Sequence, residues 1–269
     1  VRLKRPSALL SGFLVALAAT GCARPERQAR IETREVEYRD DGTALKGLIA
    51  WDAALAGKRP GVLVVHEWWG HNEYTRQRAR RLAEAGYVGM ALDMFGGGKS
   101  TSHAEEAQAF VTEATRDPTM LARRFNAALE QLKRDPAVDS TRVAAIGYCF
   151  GGMVVLSMAK AGADLDAVAT FHGALPPGPV DSGKVRARVL VLTGDADPFV
   201  PTEGVEAFRT ALEHAGANVT VVTYRGAKHG FTNPQAGSYN MPQLAYDARA
   251  DSASWEAMRR MLGEVWPEN

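Results

Sequence analysis

Cysteine is nearly absent: the 269-residue chain has two, Cys22 and Cys149. Two sulfurs cannot build a disulfide framework, so the fold must rest on its core. An excess of charge of one sign is missing too. Lys plus Arg number 32 and Asp plus Glu 31, which argues against the basic stripe that a nucleic-acid partner requires. No apolar run reaches the roughly 20 residues of a membrane-spanning helix. Histidine is sparse, at positions 66, 71, 103, 172, 214 and 229, and never in H-x-x-x-H or H-E-x-x-H spacing. A metal site is therefore not implied, and no cofactor is either. Gly96-Gly97-Gly98-Lys99-Ser100 lacks the spacing of a phosphate loop and reads as a flexible loop at the mouth of a site.

What is present begins with a leader pattern. Arg2, Lys4 and Arg5 precede an apolar stretch, Ala8 to Ala19, that ends in Thr20-Gly21-Cys22. A basic start, a short apolar middle and small residues at the cut predict a secretory signal over residues 1–22. Cys22 behind small residues is similar to a bacterial lipobox, although Ala19 stands where leucine is usual. The signal would export the protein, and lipidation of Cys22 would hold it on a membrane surface, facing the periplasm or cell exterior, through the N-terminal lipid alone. Residues 23–31 then read as a tether, and residues 32–269 as one domain without internal repeats. If Cys22 carries lipid, Cys149 is the one free thiol.

The hydrophobic fraction of 46% supports one sizeable core. Glu35–Tyr38 and Leu45–Trp51 flank the turn signal Asp40-Asp41-Gly42 and predict an antiparallel hairpin. Gly61–His66, Tyr87–Asp93, Val143–Tyr148, Ala167–Phe171, Arg188–Thr193 and Val219–Tyr224 read as strands, most of them continuous apolar runs of the doubly covered kind. Helical spacing runs through 73–85, 104–115, 120–133, 150–160, 203–214 and 246–265. The alternation predicts an α/β fold: a mainly parallel sheet with helices on both faces and no separate cap domain.

Gly147-Tyr148-Cys149-Phe150-Gly151-Gly152 joins one such strand to a helix. Strand, Gly-x-Cys-x-Gly, helix is the pattern of a nucleophile elbow, in which small neighbours let the central side chain stand clear of the backbone. A helix N-terminus beside the sulfur favours the thiolate, and the Phe150 amide is placed to face a substrate oxygen. A buried structural cysteine is the competing reading. Acids follow the next strand but one, at Asp195 and Asp197, and His229 follows the last. The chain order nucleophile, acid, base fits this fold, with His229 as proton carrier and Asp197 or Asp195 behind it.

These residues carry a resemblance. His66-Glu67-Trp68-Trp69-Gly70, the Cys149 block, and Gly194-x-x-Asp197-x-Phe199-Val200-Pro201 with His229-Gly230-Phe231 are similar to the dienelactone hydrolase family of α/β-hydrolases, from about Tyr38 to Trp266. The resemblance implies a hydrolase of carboxylic esters or lactones, with small molecules as partners. It favours Asp197 over Asp195 and implies that Glu67 touches the cysteine. A carboxylate there disfavours a thiolate at rest. A second oxyanion donor is expected from the same loop, at the Trp68 amide, and Trp69, His172 and Tyr148 read as lining the substrate pocket. Plain packing is the alternative for the tryptophans and for His172. One departure stands out. Family members acting on dienelactone carboxylates carry an arginine close behind the histidine, where this chain has Thr232-Asn233-Pro234. Lys99, Arg225 and Lys228 are the nearest basic candidates. The rival functions are a non-catalytic binding protein on the same fold and a thiol-redox role for Cys149, the latter weakened by the lack of a resolving cysteine.

Overall fold

The computed structural model describes Val1 and residues 28–267; the expected signal segment, Cys22 and most of the tether lie outside the described residues. The chain runs β1 (Ile31–Asp40), β2 (Thr43–Asp52), β3 (Arg59–Val65), α1 (Glu73–Glu84), β4 (Val88–Leu92), α2 (Ala104–Thr115), α3 (Pro118–Lys133), β5 (Val138–Tyr148), α4 (Phe150–Lys160), β6 (Ala167–Phe171), β7 (Arg188–Gly194), α5 (Thr202–His214), β8 (Val219–Tyr224) and α6 (Ala248–Val265). A 3-10 turn at Ala236–Tyr239 precedes α6.

All eight strands form one sheet in the order β1-β2-β4-β3-β5-β6-β7-β8. The expected hairpin pairs β1 with β2 from Ile31↔Asp52 to Asp40↔Thr43. β2 meets β4 antiparallel, and every later pairing is parallel. The doubly covered strands behave as their apolar runs predict. Along β3, Leu63 and Val65 pack toward α3 and α4, while Val62 and Val64 pack toward α1 and α6, because successive side chains leave a strand on opposite faces. The sheet is thus the middle layer of three, and the functional loops gather at the carboxyl ends of its parallel strands, where α/β sites form.

Helix starts are set by local chemistry. Asn72 accepts from the Thr75 N–H to open α1. Asp117 caps α3 ahead of Pro118, and Asp247 accepts from the Arg249 and Ala250 amides to open α6. That cap places the start of α6 at Ala248 rather than the expected 246. β5 begins earlier than expected, at Val138, because Val138 and Asp139 already pair with Arg59 and Pro60 of β3, while the polar, partly exposed run from Asp139 to Arg142 hides the start from an apolar pattern. Among the described residues no helix is long and apolar enough to cross a membrane.

Candidate active site

Cys149 sits between β5 and α4 with φ +53° and ψ −114°, a left-handed value that an L side chain adopts at a cost. Glycines make the bend possible. A Cβ on Gly147 would lie 2.1 Å from the Gly151 carbonyl oxygen, and one on Gly151 would lie 2.3 Å from the Val65 oxygen. The bend is locked from below: the Cys149 N–H donates to Phe171 O at 3.1 Å. No side chain caps α4; the Gly152 and Met153 amides donate to Cys149 O, so those of Phe150 and Gly151 are the ones at the helix start without an intrahelical acceptor and available to an anionic oxygen. Cys149 itself is half-buried.

β7 and β8 deliver the other two groups. Asp197 Oδ2 lies 2.8 Å from His229 Nδ1, and both residues are buried. The second carboxylate oxygen, Oδ1, accepts from the Phe199 N–H at 2.8 Å, which fixes the acid from both sides. Asp195 is exposed and accepts from the Gly226 N–H at 2.5 Å, so it ties the two strand ends together and does not face His229. Burial opposes a charge on His229. The neighbouring Cys149 and the hydrogen-bonded Asp197 carboxylate outweigh it and push the imidazole up to about 10. Asp197 and His229 are thus directly hydrogen-bonded, and Cys149 acts on the same imidazole.

Glu67 follows β3 and is buried. Its Oε2 accepts from Asn233 Nδ2 at 2.7 Å. Burial pushes its carboxyl up to about 7, against the pull of Asn233, His229 and Arg78. The bond to Asn233 is thus the one that holds this acid, where the resemblance had implied contact with the cysteine. Since Glu67 binds its proton more tightly folded than unfolded, stability should fall as pH rises from about 4.5 to about 7. Glu67→Gln keeps the acceptor for Asn233 and removes the titration. Its melting temperature, followed from pH 5 to pH 8, should gain on wild type by the equivalent of roughly 3 kcal/mol; parallel curves would show that Glu67 is ionised throughout.

The loop from Trp68 to His71 is braced rather than loose. The His71 N–H donates to Lys99 O at 3.0 Å and the Thr101 N–H to Trp69 O at 3.0 Å. The glycine-rich loop is itself wound around Asp93, whose carboxylate accepts from the amides of Phe95, Gly96 and Gly98 at 2.7–2.8 Å. The expected flexible mouth loop is thus a pinned turn. Trp69 is 2% exposed and stacks on Tyr239 at 3.8 Å, while Trp68 remains half-exposed beside it.

Two residues expected along the pocket are elsewhere. Tyr148 and His172 are both 0% exposed. A residue whose side chain leaves the strand end toward α1 is sealed by it: Tyr148 stacks on Phe171 and meets Tyr74 edge-on. His172, at φ +42°, packs behind His229 with ring centroids 5.1 Å apart. Burial, with the charges of His229 and Arg78, holds it well below the ordinary histidine value, so it stays neutral.

Sequence reasoning missed a buried polar network around Thr232 and Arg78. Thr232 Oγ1 lies 2.8 Å from His172 Nε2 and 2.6 Å from Tyr74 Oη. Arg78 donates to the Thr232 carbonyl and pairs with Asp251 at 2.9 Å. Its place on α1 between Tyr74 and Leu82, on the apolar face, was the available signal. None of the basic candidates from the sequence reaches the site: Lys99 pairs with Glu113, Lys228 donates to Pro242 O, and Arg225 is exposed. Thr232→Val leaves two buried polar groups without their partner and should cost about 2–4 kcal/mol in a urea melt; a loss below about 0.5 kcal/mol would mean the network is not under tension from burial. Among the described residues no group of three or more His, Cys, Asp or Glu is placed to hold a metal ion.

The dienelactone hydrolase family profile matches residues 45–266. The chain belongs to the dienelactone hydrolase family. A dienelactone hydrolase-like promiscuous phosphotriesterase from metagenomic libraries shares 39% identity over 88% of this chain and 99% of its own, with a TM-score of 0.84. A structure titled m3DLH shares 38% identity over 87% and 98%, with a TM-score of 0.83. A Synechocystis protein named as a candidate carboxymethylenebutenolidase is 27% identical over 86% of this chain and 96% of its own. The mainly parallel α/β sheet expected from the strand–helix alternation, and the α/β-hydrolase fold that the resemblance implied, are what is observed. As a dienelactone hydrolase family member, the protein is a hydrolase of ester or lactone bonds.

Proposed function

We propose that Cys149, His229 and Asp197 carry out this hydrolysis through a thioester. The observation that carries the reading is the 2.8 Å bond from Asp197 to His229, with Cys149 acting on the same imidazole and held at positive φ on a helix N-terminus. The Cys149 sulfur attacks the acyl carbon while His229 holds the thiol proton. The C–O bond to the leaving alcohol breaks, and His229 protonates that oxygen. Water, deprotonated by the same imidazole, then attacks the thioester and releases the acid and the free thiol. Phe150 and Trp68 amides stabilise the tetrahedral oxyanion in both steps. Asp197 keeps the ring's orientation and tautomer.

The site favours uncharged substrates over dienelactone carboxylates, because Asn233 and Thr232 occupy the segment where an arginine would hold an acid group. A panel on the full chain tests this: p-nitrophenyl acetate and unsubstituted lactones should turn over faster than a lactone bearing a free carboxylate, and the reverse order would sink it. An organophosphate triester belongs on the panel, given the activity named for the relative of 39% identity. We further propose that residues 1–22 direct export and that Cys22 is lipidated, leaving residues 23–31 as tether and 32–269 as the catalytic domain on a membrane surface. The leader pattern supports this reading, and β1 beginning at Ile31 fits a tether that ends there. Mass spectrometry of the mature N-terminus decides it: an acylated Cys22 as first residue supports it, an intact or differently cut leader refutes it.

A further inference from the structure

A groove of about 450 Å³ runs beside α4. Its floor is a stripe of that helix, Met153, Ser157 and Lys160, at the spacing that puts side chains on one face and in register with Cys149. Leu121 of α3 and Thr115 of α2 form one wall, and the strap that carries Pro176 forms the other. Both ends of the strap are tied. At the near end the Ala174 N–H donates to Cys149 O at 3.3 Å. At the far end Lys160 Nζ donates to the carbonyls of Pro177 and Gly178 at 2.8 and 3.0 Å. The groove therefore begins at Met153, one helical turn beyond Cys149, and runs to Lys160, about 10 Å further along the helix.

Its polar groups are turned away. Ser157 Oγ donates to Met153 Sδ at 3.5 Å, Thr115 Oγ1 donates to Val111 O at 2.8 Å, and Lys160 is spent on the strap. What remains toward the space is hydrocarbon. A channel of this size is within the range of ligand sites, and its lining is predominantly apolar.

Building on the thioester reading, we propose that this groove holds the unbranched hydrocarbon chain of the substrate, so that the enzyme acts on medium-chain esters in preference to acetates. Each methylene moved from water to the groove should raise kcat/KM about three- to fourfold until the groove is filled.

The test uses the full chain and two series: p-nitrophenyl esters from acetate to decanoate, and alkyl acetates of matching length. A rise in the first series assigns the groove to the acyl half; a rise in the second assigns it to the alcohol half. Ser157→Trp and Met153→Asn, one filling the groove and one making it polar, should each flatten the rise, read as the ratio of octanoate to acetate kcat/KM. Flat profiles in both series, or a rise that both variants leave intact, overturn the proposal. Acetate turnover without any gain in length rejects the groove and leaves the Cys149 reading standing. A chain-length rise that persists in Cys149→Ala rejects that reading and not the groove.

Discussion

Cys149→Ala should lower kcat/KM for p-nitrophenyl acetate by at least about 10⁴-fold, the scale on which removal of a nucleophile acts when base and oxyanion donors remain. The residue left behind cannot form the thioester, so whatever rate survives comes from His229 activating water and from the amides of Phe150 and Trp68. The fold should survive the change. Alanine at φ +53° carries the same backbone penalty as cysteine, and the thiol is half-buried rather than packed in the core. A melting temperature within a few degrees of wild type should therefore accompany the loss of rate. The same pair of measurements separates chemistry from folding: a protein with equal stability and equal activity would show that Cys149 takes no part.

Asp197→Asn should be the next most damaging change, on the order of 10⁴-fold in kcat. The carboxylate accepts from His229 Nδ1 at 2.8 Å, which leaves Nε2 free to take a proton from sulfur. An amide in that place can donate its own hydrogen to Nδ1 and leave the proton on Nε2, where a base needs a lone pair. The charge is lost as well. His229 is held up to about 10 by Cys149 and Asp197 against burial, so removing one of the two must lower that value. The alkaline limit of the pH–rate profile should move down with it. Asp195→Asn supplies the contrast. Its partner is the Gly226 amide at the surface, and its rate should stay within about threefold of wild type, as surface changes usually do. Comparable losses in the two variants would mean that the acid at 197 is not the one orienting the ring.

The Asp197–His229 pair and the sharp bend at Cys149 were legible in the chain before any coordinates. Cys149, Asp197 and His229 stand at strand ends in the order the fold requires, and Gly147 and Gly151 mark a turn that tolerates no side chain. The strands were legible because runs such as Val62–Val65 are apolar on both faces. What was not legible depends on contacts between segments far apart in sequence. Nothing local says that Arg78 reaches the Thr232 carbonyl across 154 positions, or that Asn233 meets Glu67 across 166. Tyr148 and His172 were misplaced for a related reason. Position beside the elbow or after a strand fixes where the backbone is, while α1 and the Phe231–Asn233 segment decide which side chains are covered. The 3-10 turn at Ala236–Tyr239 carries no periodicity to find, yet it brings Tyr239 onto Trp69.

Quenching the full-length enzyme in acid during turnover of a slowly hydrolysed ester, then mapping the adduct by peptide mass spectrometry, bears most directly on the thiol as nucleophile. The acyl mass should sit on the peptide containing Cys149, should be released by hydroxylamine, and should be missing from Cys149→Ala. An acyl group found on a serine or histidine instead, with Cys149 unmodified and turnover intact in its alanine variant, would contradict the account.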